Sequence, residues 1–357
     1  MSLKFYHLKV SEKYFLNSSA VRITLDVSDE LKNIFSYKPG QFLSFKININ
    51  GTDYRREYSI SSSPFCDINL EIASKNVKNG IVSNYLFDSV KEGDTILSYP
   101  PQGSFYTELD PSNKKRYVMI AGGSGITPVF SIIKSVLHTE PESEVVLYFG
   151  NDTEESIMFR KELDLLHSQF KERFRLLYTL KDFNNEWKGF KGIVNTEELE
   201  KILSGTYDPG LSETEYFICG PAEMMKLIKD FLNNKKVPHN KIHIEYFSAP
   251  VSPEKSEKED KGGAQYEKKN IRVILNGDEH EVNVPENSVI LDAVINADLD
   301  PPFSCRSGIC STCRAKLYSG KVKMDEREGL SDSEIDDGYI LTCQSHPLTD
   351  DVKLEYM

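Results

Sequence analysis

The sequence predicts three folded units in series: an antiparallel β-barrel, an α/β unit with a parallel sheet, and a smaller C-terminal unit. Residues 1–110 contain short runs that alternate apolar and polar residues, such as VRITLDV and QFLSFKI, which is typical of half-buried strands. From 111 to 247, compact apolar runs alternate four times with segments of helical periodicity, which indicates a parallel sheet with helices on its faces. An Asn-Gly pair between IRVIL and EHEVNV then predicts a hairpin that opens a new unit.

The boundary between the second and third units is a segment that cannot form a core. Residues 248–268 are rich in proline, serine, glycine and charge, with almost no apolar side chains. We therefore expect a flexible linker there. The predicted domains are 1–110, 111–247 and 269–357, which suits a chain of 357 residues.

Composition excludes several classes of function. The net charge of −12 makes nucleic acid an improbable partner, since phosphate neutralisation needs a basic surface. No apolar run approaches the roughly 20 residues of a membrane span, so we expect no membrane association. The stretch MSLKFYHLKV lacks the apolar core of an export signal, which favours a cytoplasmic protein. In that compartment six cysteines are expected to be ligands or core residues and not disulfides.

Four cysteines carry the strongest signal in the sequence. Cys305, Cys310, Cys313 and Cys343 have the spacing C-x4-C-x2-C-x29-C, which is typical of the thiolate ligands of a plant-type 2Fe–2S cluster. The small residues between them let a loop wrap closely around its sulfurs. A structural zinc site is the alternative, but it prefers two C-x2-C pairs or a mixture of cysteine and histidine. Because such a cluster changes by one electron, we expect a protein that passes electrons on.

A glycine-rich turn joins a buried strand to a helix in RYVMIAGGSGITPVFSII. Gly122, Gly123 and Gly125 allow a diphosphate to approach the backbone, and the helix that begins near Thr127 offers free N–H groups. The turn favours a dinucleotide site over a plain connection, although it is not G-x-G-x-x-G. Cys219 ends the strand of EYFICGP and is expected at the same sheet edge, where a small core residue is the alternative reading.

A second candidate binding segment is the strand YRREYSISSSP. Arg56 and Tyr58 are expected on one face of this strand and Ser59 on the other. A guanidinium suits a diphosphate and an aromatic ring suits a flat heterocycle, while an ordinary exposed strand is the alternative. The stretch NGIVSNYL adds a second anion site from Gly80 to Ser83, at the start of a predicted helix.

Taken in order, R-x-Y-S, G-x-x-S, G-G-x-G-x-T-P, C-G-P and C-x4-C-x2-C…C resemble the ferredoxin–NADP reductase family with a C-terminal plant-type ferredoxin domain. Within it the chain is most similar to the reductase subunits of phenylacetyl-CoA epoxidase and related oxygenase systems. The resemblance covers nearly the whole chain. It implies an FAD-binding barrel, an NAD(P)H-binding α/β domain and a β-grasp (α+β) ferredoxin domain.

The resemblance also implies an activity. Electrons would pass from the hydride of NAD(P)H through FAD and a 2Fe–2S cluster to an oxygenase component. A reductase for another oxygenase, a desaturase or a cytochrome P-450 remains an alternative. A non-catalytic redox sensor is less favoured, because the flavin and nucleotide motifs are intact and no output module is visible.

Individual residues take their expected roles from the resemblance. Arg56 would pair with the flavin diphosphate, Tyr58 would pack on the isoalloxazine and Ser59 would hydrogen-bond near its reactive nitrogen. Cys219 would lie near the nicotinamide and Glu245 would close the flavin site, so Ser59, Cys219 and Glu245 are the expected catalytic residues. The other expected cofactor-binding residues are Lys75, Gly80, Val82, Ser83, Gly122, Gly123, Gly125, Thr127, Gly220, Pro221 and Phe247.

The nucleotide preference stays open at this stage. Asp152 follows the strand EVVLYFG where sequences of this group often read G-N-R. A carboxylate there would repel a 2′-phosphate or accept bonds from a ribose hydroxyl, which favours NADH. The resemblance itself favours NADPH, and Arg160 or Lys161 could supply the missing charge. The expected donor is therefore NAD(P)H.

Overall fold

The computed structural model describes residues 4–204, 213–247, 266–303, 305–330 and 332–356. Its strands form two six-stranded sheets, one five-stranded sheet and one two-stranded sheet. Most of the expected linker, residues 248–265, lies outside the described residues. Among the helices within the described ranges, none is both long and apolar enough to cross a bilayer.

The first sheet is antiparallel and closes into a barrel. Its elements are β1 (Tyr6–Asn17), β2 (Ala20–Asp26), β3 (Phe42–Ile49), β4 (Thr52–Ser59), β5 (Leu70–Lys75), α1 (Ile81–Asp88) and β6 (Thr95–Ser98). The strand order is β4-β3-β6-β1-β2-β5. A bridge between Ile60 and Ile72 then joins the chain just after β4 to β5, so the two edges meet. The alternating apolar side chains fill the interior, as their period of two predicts.

The second sheet is parallel and has helices on both faces. Its elements are β7 (Lys115–Gly122), α2 (Ile126–Thr139), β8 (Glu144–Asn151), α3 (Arg160–Gln169), β9 (Phe174–Leu180), β10 (Phe190–Lys191), α4 (Thr196–Ser204), β11 (Glu213–Gly220), α5 (Ala222–Asn234) and β12 (Ile242–Tyr246). The order β10-β9-β8-β7-β11-β12 places β7 between β8 and β11. Separate apolar clusters cover the two faces. The carboxyl ends of these strands therefore share one edge, where such folds bind ligands.

Helix α3 starts later than its sequence pattern predicts. Helical periodicity runs through EESIMFRKELDLLHSQF, but the helix begins only at Arg160. Residues 157–159 are all buried and belong to one apolar cluster. Phe159 instead adopts a left-handed conformation with φ 56° and stacks on Phe130 at 4.4 Å between ring centroids. Burial of this apolar triplet outweighs its helical pattern.

The third unit combines a mixed sheet with one main helix. Its elements are β13 (Lys269–Leu275), β14 (Asp278–Val284), α6 (Ile290–Asn296), β15 (Arg314–Ser319), β16 (Val322–Met324), α7 (Asp332–Asp336), β17 (Tyr339–Leu341), β18 (Ser345–Pro347) and β19 (Lys353–Tyr356). The main sheet has the order β14-β13-β19-β15-β17. Asn276 and Gly277 turn the first hairpin with φ 57° and 91°, which confirms the turn prediction. The unit has apolar clusters of its own.

Side-chain contacts fix the first two units against each other. The hydroxyls of Ser63 and Ser135 lie 2.7 Å apart and are buried. Lys134 forms an ion pair with Asp67 across the same boundary. Because α2 carries Ser135 and Lys134, the helix that follows the glycine turn is held against the barrel. The glycine turn is thereby placed beside the barrel, whose strand β4 carries Arg56, Tyr58 and Ser59.

Candidate functional site

A cleft that opens to solvent, which we call the cavity, lies where the barrel meets the parallel sheet. The residues of β4 and β5 and the start of α1 form one wall, and residues of the second unit form the other. Ten of the residues expected at cofactor sites line it: Arg56, Tyr58, Ser59, Lys75, Gly80, Val82, Ser83, Thr127, Glu245 and Phe247.

Strand β4 supplies the polar wall of the cavity. Its pairing with β3 sets Arg56 opposite Phe45 and Tyr58 opposite Leu43. The Arg56 guanidinium donates to the carbonyl oxygen of Arg55 at 2.7 Å, which holds it at the wall. Burial raises the pKa of Tyr58 above its usual value, so its phenol keeps its proton. The wall thus presents a fixed cation beside a neutral aromatic ring.

The start of α1 forms an anion cradle on the same wall. Its N-cap is Gly80, which makes no side-chain capping bond, so the N–H groups of the first turn are available to a ligand. A Cβ on Gly80 would lie 2.3 Å from the Ser83 hydroxyl oxygen and 3.0 Å from the Val77 carbonyl oxygen. A larger residue would therefore crowd the turn. Lys75 adds a second cation to the cavity lining.

The glycine turn packs against the C-G-P segment beside the cavity. A Cβ on Gly125 would lie 2.2 Å from the Cys219 carbonyl oxygen, and one on Gly122 would lie 2.6 Å from Pro221 Cδ. Both contacts require glycine. The six expected residues Gly122, Gly123, Gly125, Cys219, Gly220 and Pro221 do not line the cavity themselves. They form a second group next to it, and Thr127 belongs to the cavity wall.

Cys219 is fully buried, between Ala121 of β7 and Glu245 of β12 in the strand register. Burial raises the pKa of its thiol well above the usual value, and the nearby Glu245 carboxylate adds to the effect. The thiol therefore stays protonated and is not a nucleophile. Burial also raises the pKa of Glu245, to about 8. A neutral carboxyl group thus faces the cavity at neutral pH.

Replacing Glu245 by glutamine should change how stability depends on pH. Between its ordinary pKa of 4.5 and its raised pKa of about 8, the folded state holds a proton that the unfolded chain has lost. Stability therefore falls as pH rises through this window. In urea unfolding of the FAD-free protein, we expect E245Q to gain about 1–2 kcal/mol over wild type between about pH 5 and about pH 9, a discounted value because the cavity opens to solvent.

The control for this test is E197Q, because Glu197 is largely exposed on α4. Its substitution should leave the pH slope unchanged. Parallel slopes for wild type and E245Q would contradict the raised pKa.

The four expected ligand cysteines come together in the third unit and are all buried. Cys305 lies within hydrogen-bonding distance of Cys310 and Cys343, and Cys313 within the same distance of Cys343. The Ser307 N–H donates to Cys305 Sγ at 3.4 Å. Four converging thiols with a backbone N–H on one sulfur match the donor set of a 2Fe–2S cluster.

The loop around these cysteines is tightly wrapped. Gly308 has φ 77°, and a Cβ there would lie 2.7 Å from Glu326 Cβ and 2.8 Å from Gln344 Cγ. A Cβ on Gly329 would lie 2.5 Å from the Cys310 carbonyl oxygen. The Gln344 side-chain amide donates to the Arg306 carbonyl oxygen at 3.1 Å, which ties the loop to the segment of the fourth cysteine. Glycine is therefore required where the chain closes over the sulfurs.

Glu57 joins the cavity to the cysteine loop, although the sequence motifs do not include it. This residue lines the cavity and also lies beside Cys310. Its Oε1 is buried, with no partner among the described residues. Burial raises the pKa of Glu57 well above its usual value. One side chain thus separates the two candidate sites.

Four further lining residues lie outside every predicted binding segment: Phe42, Ala73, Ser74 and Val77. Ile81 and Ser124 also line the cavity, and they lie within the predicted anion site at 80–83 and the glycine turn. Strand alternation did not point to Glu57 either, because it predicts the face opposite Arg56 and Tyr58, whereas Glu57 lines the same cavity as both. The sequence also does not say that Glu57 would meet the third unit.

Three family models match consecutive parts of the chain. Residues 7–106 match an oxidoreductase FAD-binding domain and residues 119–230 an oxidoreductase NAD-binding domain. Residues 273–348 match a 2Fe–2S iron-sulfur cluster binding domain. One of the subunits of 1,2-phenylacetyl-CoA epoxidase from Escherichia coli K12 is 33% identical over 99% of this chain and 98% of its own. The chain belongs to the ferredoxin–NADP reductase family with a C-terminal plant-type ferredoxin domain.

A second relative and a solved structure extend the comparison. The ferredoxin reductase component of 3-ketosteroid-9-alpha-monooxygenase from Rhodococcus rhodochrous is 32% identical over 94% of this chain and 92% of its own. The phthalate dioxygenase reductase structure shares the fold, with a TM-score of 0.59, 22% identity and 98% coverage of both chains. The reductase therefore has the expected three-part architecture with FAD-, NAD- and 2Fe–2S-binding domains. The match to a 2Fe–2S domain decides against the zinc alternative.

Proposed function

We propose that this reductase carries electrons from NAD(P)H through FAD and a 2Fe–2S cluster to an oxygenase component, in a system of the phenylacetyl-CoA epoxidase type. The position of Glu57 carries the proposal, because one side chain lines the cavity and lies beside a cysteine of the loop. When bound, FAD accepts a hydride from reduced nicotinamide and releases single electrons to an iron–sulfur centre. The roles of the relatives in epoxidase and monooxygenase systems support the oxygenase as acceptor.

Different residues of this region bind different parts of the cofactors in the proposed function. Arg56 and the first turn of α1 hold the flavin diphosphate, because a fixed guanidinium and free N–H groups converge there. Tyr58, Ser59, Glu245 and Phe247 line the same cavity. Tyr58 would pack on the flavin ring, Ser59 and Glu245 would serve its reactive edge and Phe247 would close the site. The glycine turn and the C-G-P segment hold the nicotinamide nucleotide, and Cys219 supports that surface from its buried position. The four cysteines bind the cluster.

Three further expectations belong to the proposal. The domain limits are 1–110, 111–247 and 269–357, with a linker at 248–268. The protein is cytoplasmic, which suits thiolate ligands that a reducing compartment keeps free. The alternative acceptors are another oxygenase, a desaturase or a cytochrome P-450, since the second relative serves a ketosteroid monooxygenase.

The test is an anaerobic absorption spectrum of the purified holoprotein before and after stoichiometric NADH or NADPH. Flavin and cluster bands that bleach together support the complete electron path. Bleaching of the flavin alone would contradict transfer to the cluster, and the absence of visible bands would reject the reductase itself. Mixing the reduced protein with candidate oxygenase components then identifies the acceptor by reoxidation.

Asp152 is expected to make the reductase prefer NADH. It follows β8 at the carboxyl edge of the parallel sheet, which we call the nucleotide edge because the nicotinamide nucleotide is proposed to bind there. Its carboxylate is 66% exposed, and its Oδ2 lies 3.9 Å from Lys75 Nζ. A 2′-phosphate at this edge would meet a like charge. Because the site is exposed, the penalty is modest, and we expect D152N to raise the NADPH/NADH ratio of kcat/KM about tenfold, or about 1.4 kcal/mol.

The matched control is D182N. The Asp182 N–H donates to the Asp152 carbonyl oxygen at 2.8 Å, so this second carboxylate belongs to the same edge. Its neutralisation should change the ratio much less. A wild-type preference for NADPH would contradict the assignment.

A further inference from the structure

Arg55 crosses the boundary between the barrel and the third unit. Only 11% of its side chain is exposed. Its guanidinium lies over two aromatic rings, 5.1 Å from the centroid of Phe5 and 4.3 Å from that of Phe303. Phe5 precedes β1 of the barrel, whereas Phe303 belongs to the loop before the first cysteine. A guanidinium close to two ring faces is a specific arrangement, because each face attracts the cation.

Directed hydrogen bonds reinforce this arrangement. Arg55 Nη1 donates to the Pro301 carbonyl oxygen at 3.0 Å, and Nη2 pairs with the Asp300 carboxylate. The planar fork of an arginine can bond at its edge while its faces stack, which a lysine cannot do. We call Arg55, Phe5, Asp300, Pro301 and Phe303 the Arg55 clamp.

Both ends of the clamp adjoin the proposed redox sites. In β4, Arg55 directly precedes residues 56–59, which line the cavity. In the third unit, Phe303 lies two residues before Cys305. We propose that Arg55 is a positioning residue that holds the cysteine loop against the flavin-binding strand. This inference rests on the proposed function. In that function NAD(P)H supplies two electrons as a hydride, and bound flavin passes them singly to bound cluster. The clamp would affect the rate of this second transfer.

The apolar clusters of the third unit draw their members from residues 271–356, and Arg55 belongs to neither. Phe303 packs against one of these clusters and stays in place when Arg55 is replaced. The clamp contacts at 300–303 lie outside the helices and strands of this unit. Loss of Arg55 should therefore undock the unit and leave it folded.

The first test uses the FAD- and cluster-loaded full chain in anaerobic stopped-flow mixing with NADH. We expect R55A to keep the wild-type rate of flavin bleaching and to slow cluster bleaching by about tenfold, because the docked population falls. R55K keeps the charge without the fork and should restore only part of the rate. Rates are compared at equal iron content per chain.

Lys46 provides the matched control. It stands opposite Arg55 in the β3–β4 register and pairs with Asp53 at 3.1 Å, within the barrel. K46A removes a second cation near Phe5, 5.8 Å from its ring centroid, and leaves every contact of Arg55 with residues 300–303 in place. Both bleaching rates should therefore remain at wild-type values.

The second test measures docking without turnover. Hydrogen–deuterium exchange should rise in R55A for peptides that cover 298–303 and 52–58, while β13 and β14 keep their wild-type protection. Unchanged exchange together with unchanged cluster bleaching in R55A would overturn the inference. A wild-type protein whose cluster is not reduced by NADH or NADPH would reject the proposed function instead.

Discussion

Replacing Cys343 by serine should abolish the cluster and leave the flavin site working. Cys343 is 4% exposed and contacts both Cys305 and Cys313, so its thiol closes the group of four. Mutating a residue that only orients a metal ligand lowers metal affinity by roughly 10–100-fold. Removing a ligand itself should lower the affinity further. We expect purified C343S to contain less than about one-tenth of the wild-type iron. NADH should still bleach its flavin, because the cavity and the nucleotide edge lie in other units.

The control for C343S is C66S. Cys66 is an exposed free thiol of the first unit and lies apart from the group of four. This variant should keep its iron and its cluster spectrum. Wild-type iron in C343S would show that the four-cysteine assignment is wrong, whereas lost iron in C66S would mean that the assay reports general damage.

The sequence predicts the sites that lie within one unit better than those that lie between units. The first three cysteines and the glycine turn are local features, because neighbouring residues carry the chemistry and the backbone geometry together. The cluster was predicted from the spacing C-x4-C-x2-C-x29-C, and the glycine turn from the periods of strands and helices and the conformational freedom of glycine. The barrel, the parallel sheet and the hairpin at Asn276 follow from the same local rules.

The contacts between units could not be predicted in this way. Arg55 bonds to Pro301, 246 positions later, and no periodicity relates two surfaces that only docking brings together. Glu57 was missed for the same reason, since its partner face comes from the cysteine loop. The late start of α3 has another cause, because burial of residues 157–159 overrides a helical pattern. Tertiary packing decides each of these features.

The glycine turn offers a stringent test of close packing at the nucleotide edge. Gly125 has φ −61°, so alanine would fit its backbone conformation without strain. The added Cβ, however, would lie 2.2 Å from the carbonyl oxygen and 2.4 Å from the carbonyl carbon of Cys219. Those atoms belong to β11, which is paired with β7 on one side and β12 on the other, so they cannot easily move. We therefore expect G125A to disturb both folding and nucleotide binding.

We expect G125A to lose about 3 kcal/mol or more of stability, which corresponds to a fall in melting temperature of about 10 °C. NADH should also bind more weakly, because the turn must shift away from the C-G-P segment. The comparison variant is G192A: Gly192 has φ 98° but nothing lies within 4 Å of its Cβ position, so only backbone strain of about 1–2 kcal/mol should appear. Calorimetry and NADH titration of both variants separate the two effects. If G125A melted no lower than G192A, the contact between the turn and Cys219 would not constrain the nucleotide edge.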